Sequence, residues 1–450
     1  MATKIWIGGG ANNNMTTGAN WQGSSAPVAG DDLQFGGTNR LTPYNNFAAD
    51  TSFASITFNA GAGVFTLTGN RITMTGNITN SSLNTTQTIA LNMIFNATRS
   101  FIGASYTSTT VVSGIISGAG GLTKGGNLKV VLSGLNTYTG ITTLTQGELS
   151  INTIKNVGGG ASSLGAPTTV GNGRISFGGF DNTLIYTGSG DDTDREIYLQ
   201  GNNTINHAIQ QDGSGTLDFL TTPTGTAETK KLILRGTGNG KFTAALADFG
   251  GFALTVQKDG TGQWEFTGNP SYTGPTNINA GKFRINGNGI LATGLITVAG
   301  GAVLGGFGNV YAATDFQDNA ILSPSMQGTK PAVILQLSTN VALSSASKLE
   351  WKLGTVSDRV DLTGNLTLDG VIDVIAGPGF AAGTYRIFNY SGVLTNNTLT
   401  VGIMPVGYFA TVSVSTPTDV DLIVTYGAPT WVPGDKIAFG QIRGQDLGQC

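Results

Sequence analysis

From residue 56 onward the chain alternates. In "SITFNAGAGVFTLTGNRITMTGNITN" the apolar residues Ile56, Phe58, Val64, Leu67, Ile72 and Met74 fall in short runs separated by glycine and asparagine. Short runs with a period of two, broken by turn formers, predict brief β-strands. "QTIALNMIFNATRSF" and "TTVVSGIISGAGGLTKGG" continue the pattern, and later "KLEWKLGTVSDRVDLTGNLTLDGVIDV" and "YFATVSVSTPTDVDLIVTYG" repeat it.

One segment returns. "LSGLNTYTGITTLTQGELSI" (132–151) reappears as "FTGNPSYTGPTNINAGKFRI" (266–285), a constant shift of 134 positions that sets Tyr138 against Tyr272. The same shift aligns Lys124 with Lys258, Val130 with Trp264, Leu144 with Ile278, Leu149 with Phe283, and Gly140 and Gly147 with Gly274 and Gly281. Within a copy the apolar residues cluster at 130 and 132, at 144, and at 149 and 151; each cluster predicts one strand, and the glycines predict corners. A single such unit cannot bury its apolar face, so units must stack, strand on strand. The expected fold is all-β: an elongated parallel β-helix with a C-terminal β module. A coil of roughly 20 residues would give about 20 coils and a rod of about 90 Å.

Composition supports this. Charged residues make up 11% of the chain and glycine contributes 69 of 450 residues. Ladders of Thr and Asn stack more readily than like charges set one above another. The organisation expected is an N-terminal cap or β region over 1–55, a solenoid over 56–312 with repeat copies at 118–151 and 252–285, a C-terminal β module over 313–427, and a tail over 428–450 opened by Pro429 and Pro433.

The stretch "GAGGLTKGGNLKVVLSGLNTYTGITTLTQGELSI" (118–151) closely resembles the autotransporter-associated β-strand repeat, also called the passenger-associated transport repeat. The second copy is degenerate, with Pro270 where the pattern has asparagine. The flanks "GANWQGSSAPVAGDDLQF", "SDRVDLTGNLTLDGVIDV" and "GPGFAAGTYRIFNY" also resemble those of large bacterial surface proteins that carry the repeat. The resemblance implies an extracellular β-solenoid of adhesive or structural role, and with the general handedness of parallel connections it implies a right-handed coil. The family motif carries no catalytic residues.

Charge and cysteine narrow the partners. With 23 basic against 26 acidic residues and no basic run, nucleic acid and membrane insertion are not expected as partners. Cys450, the only cysteine, permits no intrachain disulfide. The start at Met1 shows no secretory leader, and no stretch reads as a translocator. These features favour a virion surface component (fibre, spike or capsid decoration) that associates with itself or with other virion or surface proteins, with Trp431 and Cys450 of the tail as assembly candidates. A bacterial adhesin passenger is the alternative, with a cell-surface glycan as a further partner, and a glycan-degrading β-helix enzyme is a third reading.

Candidate chemistry is sparse. His207 is the only histidine, and "NTINHAIQ" offers no nucleophile beside it. "GSGDDTDRE" brings together Asp191, Asp192, Asp194, Arg195 and Glu196. Its carboxylates could hold Ca²⁺ or act on a glycan, but the spacing completes no calcium loop, and a solvated loop is the simpler expectation. Asp31 with Asp32, and Asp358 with Asp361, suit turns or caps. Trp6 and Trp21 could stack on sugars if exposed, although core packing is the simpler role for them and for Tyr138, Trp264, Tyr272 and Trp351. No cofactor is expected.

Overall fold

The computed structural model describes residues 1–286, 294–326 and 331–427. It is a right-handed parallel β-solenoid. Among the described residues, helix is confined to one four-residue α-turn, Val170–Gly173, and two 3-10 turns at Gly18–Asn20 and Gln22–Ser24.

One sixteen-stranded parallel sheet runs from Tyr44–Asn45 to Leu394–Asn396 and forms the spine of the rod. The other faces change along its length. Early coils are three-sided: the spine is joined by a ten-stranded sheet beginning at Thr3–Trp6 and by a four-stranded sheet spanning Thr51–Phe53 to Ile116–Ser117. A second ten-stranded sheet takes over from Asp191–Thr193, and a six-stranded sheet starting at Asn309–Val310 completes the three-sided section at the far end. Parallel pairing extends to Thr400–Val401.

The alternation works as the pattern predicts. In Lys129–Leu132, Val130 and Leu132 are buried, and they stack on Leu149 and Ile151 of Gly147–Ile151 and then on Leu184 and Tyr186. Repeated at every rung, these columns merge into a single apolar core from Trp6 to Val424. Burying such side chains is worth about 1.5–3 kcal/mol each, which is how short strands with little charge hold together.

Coil length varies more than the expected 20 residues. A rung is completed after as few as 18 residues, from Ile296 to Thr314, and as many as 35, from Gly147 to Asn182. Sixteen spine strands spaced at about 4.8 Å give a stack of about 70 Å rather than 90 Å.

Both ends of the stack are closed. At the first, the Trp6 and Trp21 rings meet edge to face with centroids 5.2 Å apart. At the other, Gly383–Tyr390 pairs in parallel with Arg359–Leu362 and antiparallel with Asp419–Tyr426, whose other side pairs antiparallel with Tyr408–Ser413. Arg386 ties this end down by ion pairs to Asp419 (2.8 Å) and Asp421 (3.2 Å).

Candidate functional site

The acidic cluster serves the fold. Asp191 accepts hydrogen bonds from Ile154 N (3.0 Å), Lys155 Nζ (2.8 Å) and the Tyr186 hydroxyl (2.9 Å). Asp194 accepts from Val157 N (2.7 Å), and Glu196 pairs with Arg174 (2.6 Å). Arg195 is buried and donates to Lys155 O (2.9 Å), Leu164 O (2.6 Å) and Gly165 O (3.1 Å). The cluster therefore clamps the long excursion after Ile151 onto the body, and of its three aspartates only Asp192 is exposed. Among the described residues no three His, Cys, Asp or Glu side chains converge as a metal site would require.

The other candidates are also built in. His207 is fully buried, with Nε2 2.7 Å from Gln200 O and Nδ1 3.2 Å from Asn182 Oδ1, and burial pushes its pKa down to about 4. Trp6 and Trp21 donate their indole N–H groups to Arg40 O (3.2 Å) and Met15 O (2.7 Å). Both are fully buried, so neither presents a ring face to a sugar. Trp264, Trp351, Tyr138 and Tyr272 are buried likewise. Asp31 caps the N-terminal turn by accepting from Ala2 N (2.8 Å) and Val28 N (3.0 Å). Asp358 accepts from Ser325 Oγ, Val333 N and Lys352 N, and Asp361 holds Arg359 bidentately. Asp32 accepts from Ser55 Oγ on the next rung. Trp431 and Cys450 lie outside the described residues.

The repeat marks a corner built around a buried lysine. Lys124 occupies an inward column between Phe101 and Leu144, and Lys258 the corresponding place between Leu234 and Ile278. Each amine turns aside to three carbonyls. Lys124 Nζ donates to Gly125 O (3.2 Å), Gly126 O (2.7 Å) and Gln146 O (2.8 Å), and Lys258 Nζ to Asp259 O (2.8 Å), Gly260 O (2.9 Å) and Ala280 O (2.9 Å). Burial pushes the two amines down, to about 7 for Lys124 and about 8 for Lys258, while three acceptors match the three donors of the ammonium form. In each copy the tyrosine hydroxyl meets a buried threonine, Tyr138 to Thr142 at 2.6 Å and Tyr272 to Thr276 at 2.7 Å. The copies differ at Asn136, which accepts from Ile116 N and donates to Ser163 O where the second copy has Pro270.

The two copies occupy different faces. In the first, the lysine strand Leu122–Gly126 belongs to the earlier ten-stranded sheet and Lys129–Leu132 to the spine. In the second, the lysine strand Leu254–Lys258 is itself in the spine and Gln263–Phe266 lies on the next face. The motif is rotated by one side of the rod.

On its outer surface the spine carries a groove that sequence reasoning did not find. Glu148, Thr183, Ala208, Ile233 and Gln257 are successive register partners on five neighbouring strands. They line an open hollow of about 370 Å³, with exposed Tyr106 among its walls. Arg235 contributes to this hollow and to an adjoining one of about 650 Å³, which Gln210, Asp212 and Thr237 also line. Its Nε donates to Gln210 (2.9 Å) and its Nη2 to Thr183 (3.1 Å), which holds the side chain against the sheet. Such a column could be located in sequence only once the register was known, because the residues lie 24 to 35 positions apart.

Comparison with known proteins agrees with this architecture. The profile of the passenger-associated-transport-repeat matches residues 122–151 and 256–285, the two lysine corners. The chain is also similar to the adhesin BmaC autotransporter of Brucella suis biovar 1 (strain 1330), at 29% identity over 339 residues, covering 58% of this chain and 10% of the relative. It thus spans about a tenth of the length of the curated relative it matches. The chain is a β-solenoid protein carrying two passenger-associated transport repeats.

Proposed function

We propose that the chain is a non-catalytic, surface-exposed adhesive segment, a monomeric rod of the autotransporter passenger type acting outside the cell. The observation that carries this reading is the match of both lysine corners to the transport repeat, on a solenoid similar to part of an autotransporter adhesin. The comparison favours it over the virion component expected from the sequence. Asp191, Asp194 and Glu196, the acidic groups a glycan-degrading enzyme would need free, are engaged in bracing a loop, which supports a binding surface over that reading. Beads coated with the purified full chain should hold mammalian or bacterial cells better than beads coated with heat-unfolded chain. Equal retention on the two would sink the adhesive reading.

A further inference from the structure

We propose that the outer groove of the spine, between Tyr106 and Gln257, binds an uncharged oligosaccharide, the ligand through which the adhesive rod would act. The inference rests on the adhesive reading above.

Three features of the groove point to this ligand class. The first is its chemistry. The Glu148 carboxylate accepts no hydrogen bond and makes no ion pair among the described residues, the Gln257 side chain uses only its Nε2, on Asp259 (2.7 Å), and Arg235 keeps the donors on Nη1 after engaging Gln210 and Thr183. A carboxylate, an amide oxygen and a guanidinium N–H along one trough supply the mixed acceptors and donors that vicinal hydroxyl groups need. The second is Tyr106, whose side chain stands 75% exposed at the groove, an amphipathic ring available to the C–H face of a pyranose. The third is shape. The groove's lining includes the small residues Gly147, Thr183 and Ala208, and its five rungs, continuous in register, extend about 19 Å at the usual strand spacing. That length accommodates several sugar residues, and the adjoining hollow beyond Arg235 extends the trough further.

A peptide fits less well. Every one of the five strands is paired on both sides, so the groove offers no free edge on which an extended peptide could add as a further strand. An acidic glycan fits less well too, because Glu148 and Asp181 outnumber Arg235 among the charged groups of the first hollow.

The test is calorimetric titration of the full chain with chitotetraose and with cellotetraose, beside a hyaluronan tetrasaccharide and an end-blocked hexapeptide. One of the neutral tetrasaccharides should bind, with Tyr106→Ala weakening it about tenfold, as expected for loss of one stacked ring, and Tyr106→Phe leaving it nearly unchanged. Gln257→Ala should weaken it about threefold, in line with the loss of one neutral hydrogen bond. Circular dichroism melts confirm that the exposed-site variants fold. The proposal is overturned if neither neutral tetrasaccharide binds at millimolar concentration, if binding is indifferent to Tyr106→Ala, or if the hyaluronan fragment or the peptide binds in preference. Coated beads separate the two levels of the argument. Tyr106→Ala beads that still hold cells as well as the wild type remove the groove and leave the adhesive reading standing, whereas wild-type beads that hold none remove that reading itself.

Discussion

A Cβ added at Gly147 would stand 2.9 Å from Lys124 Nζ, and one added at Gly281 would stand 2.8 Å from Lys258 Nζ. In both copies the closing glycine of the repeat is the lid over the buried amine. Both glycines also have positive φ, 76° and 67°, so two constraints coincide at one position.

Gly147→Ala should therefore cost roughly 2–4 kcal/mol, combining left-handed strain with a clash against Lys124 and the Gly126 carbonyl. Gly30 provides the control, since its φ is 88° but nothing lies within 4 Å of an added Cβ. Gly30→Ala should cost only about 1 kcal/mol. Urea unfolding of both variants measures the difference, and equal losses would refute the lid.

Lys124→Met keeps the aliphatic stem among Phe101 and Leu144 but leaves three carbonyls without their donor. A loss of about 2–4 kcal/mol is expected, with protection from hydrogen exchange falling first around Gly126 and Gln146. Lys258→Met should behave in the same way in the second copy.

His207 makes the fold sensitive to mild acid. Its pKa is pushed from an ordinary 6.5 to about 4 by burial, which outweighs the Gln200 carbonyl; Lys230 adds to the depression and Asp181 opposes it. Below pH 6.5 the unfolded chain takes up a proton that the folded chain refuses until about pH 4. Stability is therefore fully kept above about pH 6.5 and lost as the pH falls toward 4, by up to about 3 kcal/mol. Unfolding of the wild type and of His207→Gln at pH 7 and pH 5 should show a smaller fall in the variant.

Arg195→Met should loosen the excursion after Ile151, because Leu164 O loses its donor, Lys155 O keeps only a long bond from Thr193 Oγ1 (3.4 Å), and Gly165 O keeps only Ser162 Oγ. Trypsin should then cut after Lys155 at least about tenfold faster than in the wild type, reporting a local opening eased by more than about 1.4 kcal/mol.

Chelation should do nothing. Asp191 and Asp194 already receive backbone and side-chain donors, so excess EDTA should leave the melting temperature within about 1 °C of the untreated chain. A drop of several degrees would place a cation among these carboxylates.

Much of this was legible in the sequence. Alternation at Val130 and Leu132, Leu149 and Ile151 identified the strands, and the aligned Lys124 and Lys258 identified the repeat that both corners share. Loop length was not legible, because Gly147 to Asn182 takes 35 residues with no change in the strand pattern, and the coil count fell from about 20 to the sixteen rungs of the spine. The rotation of the second copy was hidden for the same reason. Local sequence specifies a corner, while the face on which the corner lands depends on every excursion before it. The tryptophans were ambiguous because an indole suits both a core and a sugar, and only the packing of Trp6 on Trp21 decides.

Because the strands run across the rod, the hydrogen bonds between them point along its length. A tension applied between the two ends thus loads these bonds in series, and the rod yields one rung at a time instead of shearing as a whole. Each coil that peels away lengthens the molecule from about 4.8 Å to on the order of 60–120 Å for 18 to 35 residues of extended chain. The parallel stack is in effect a tether whose reach grows stepwise under load.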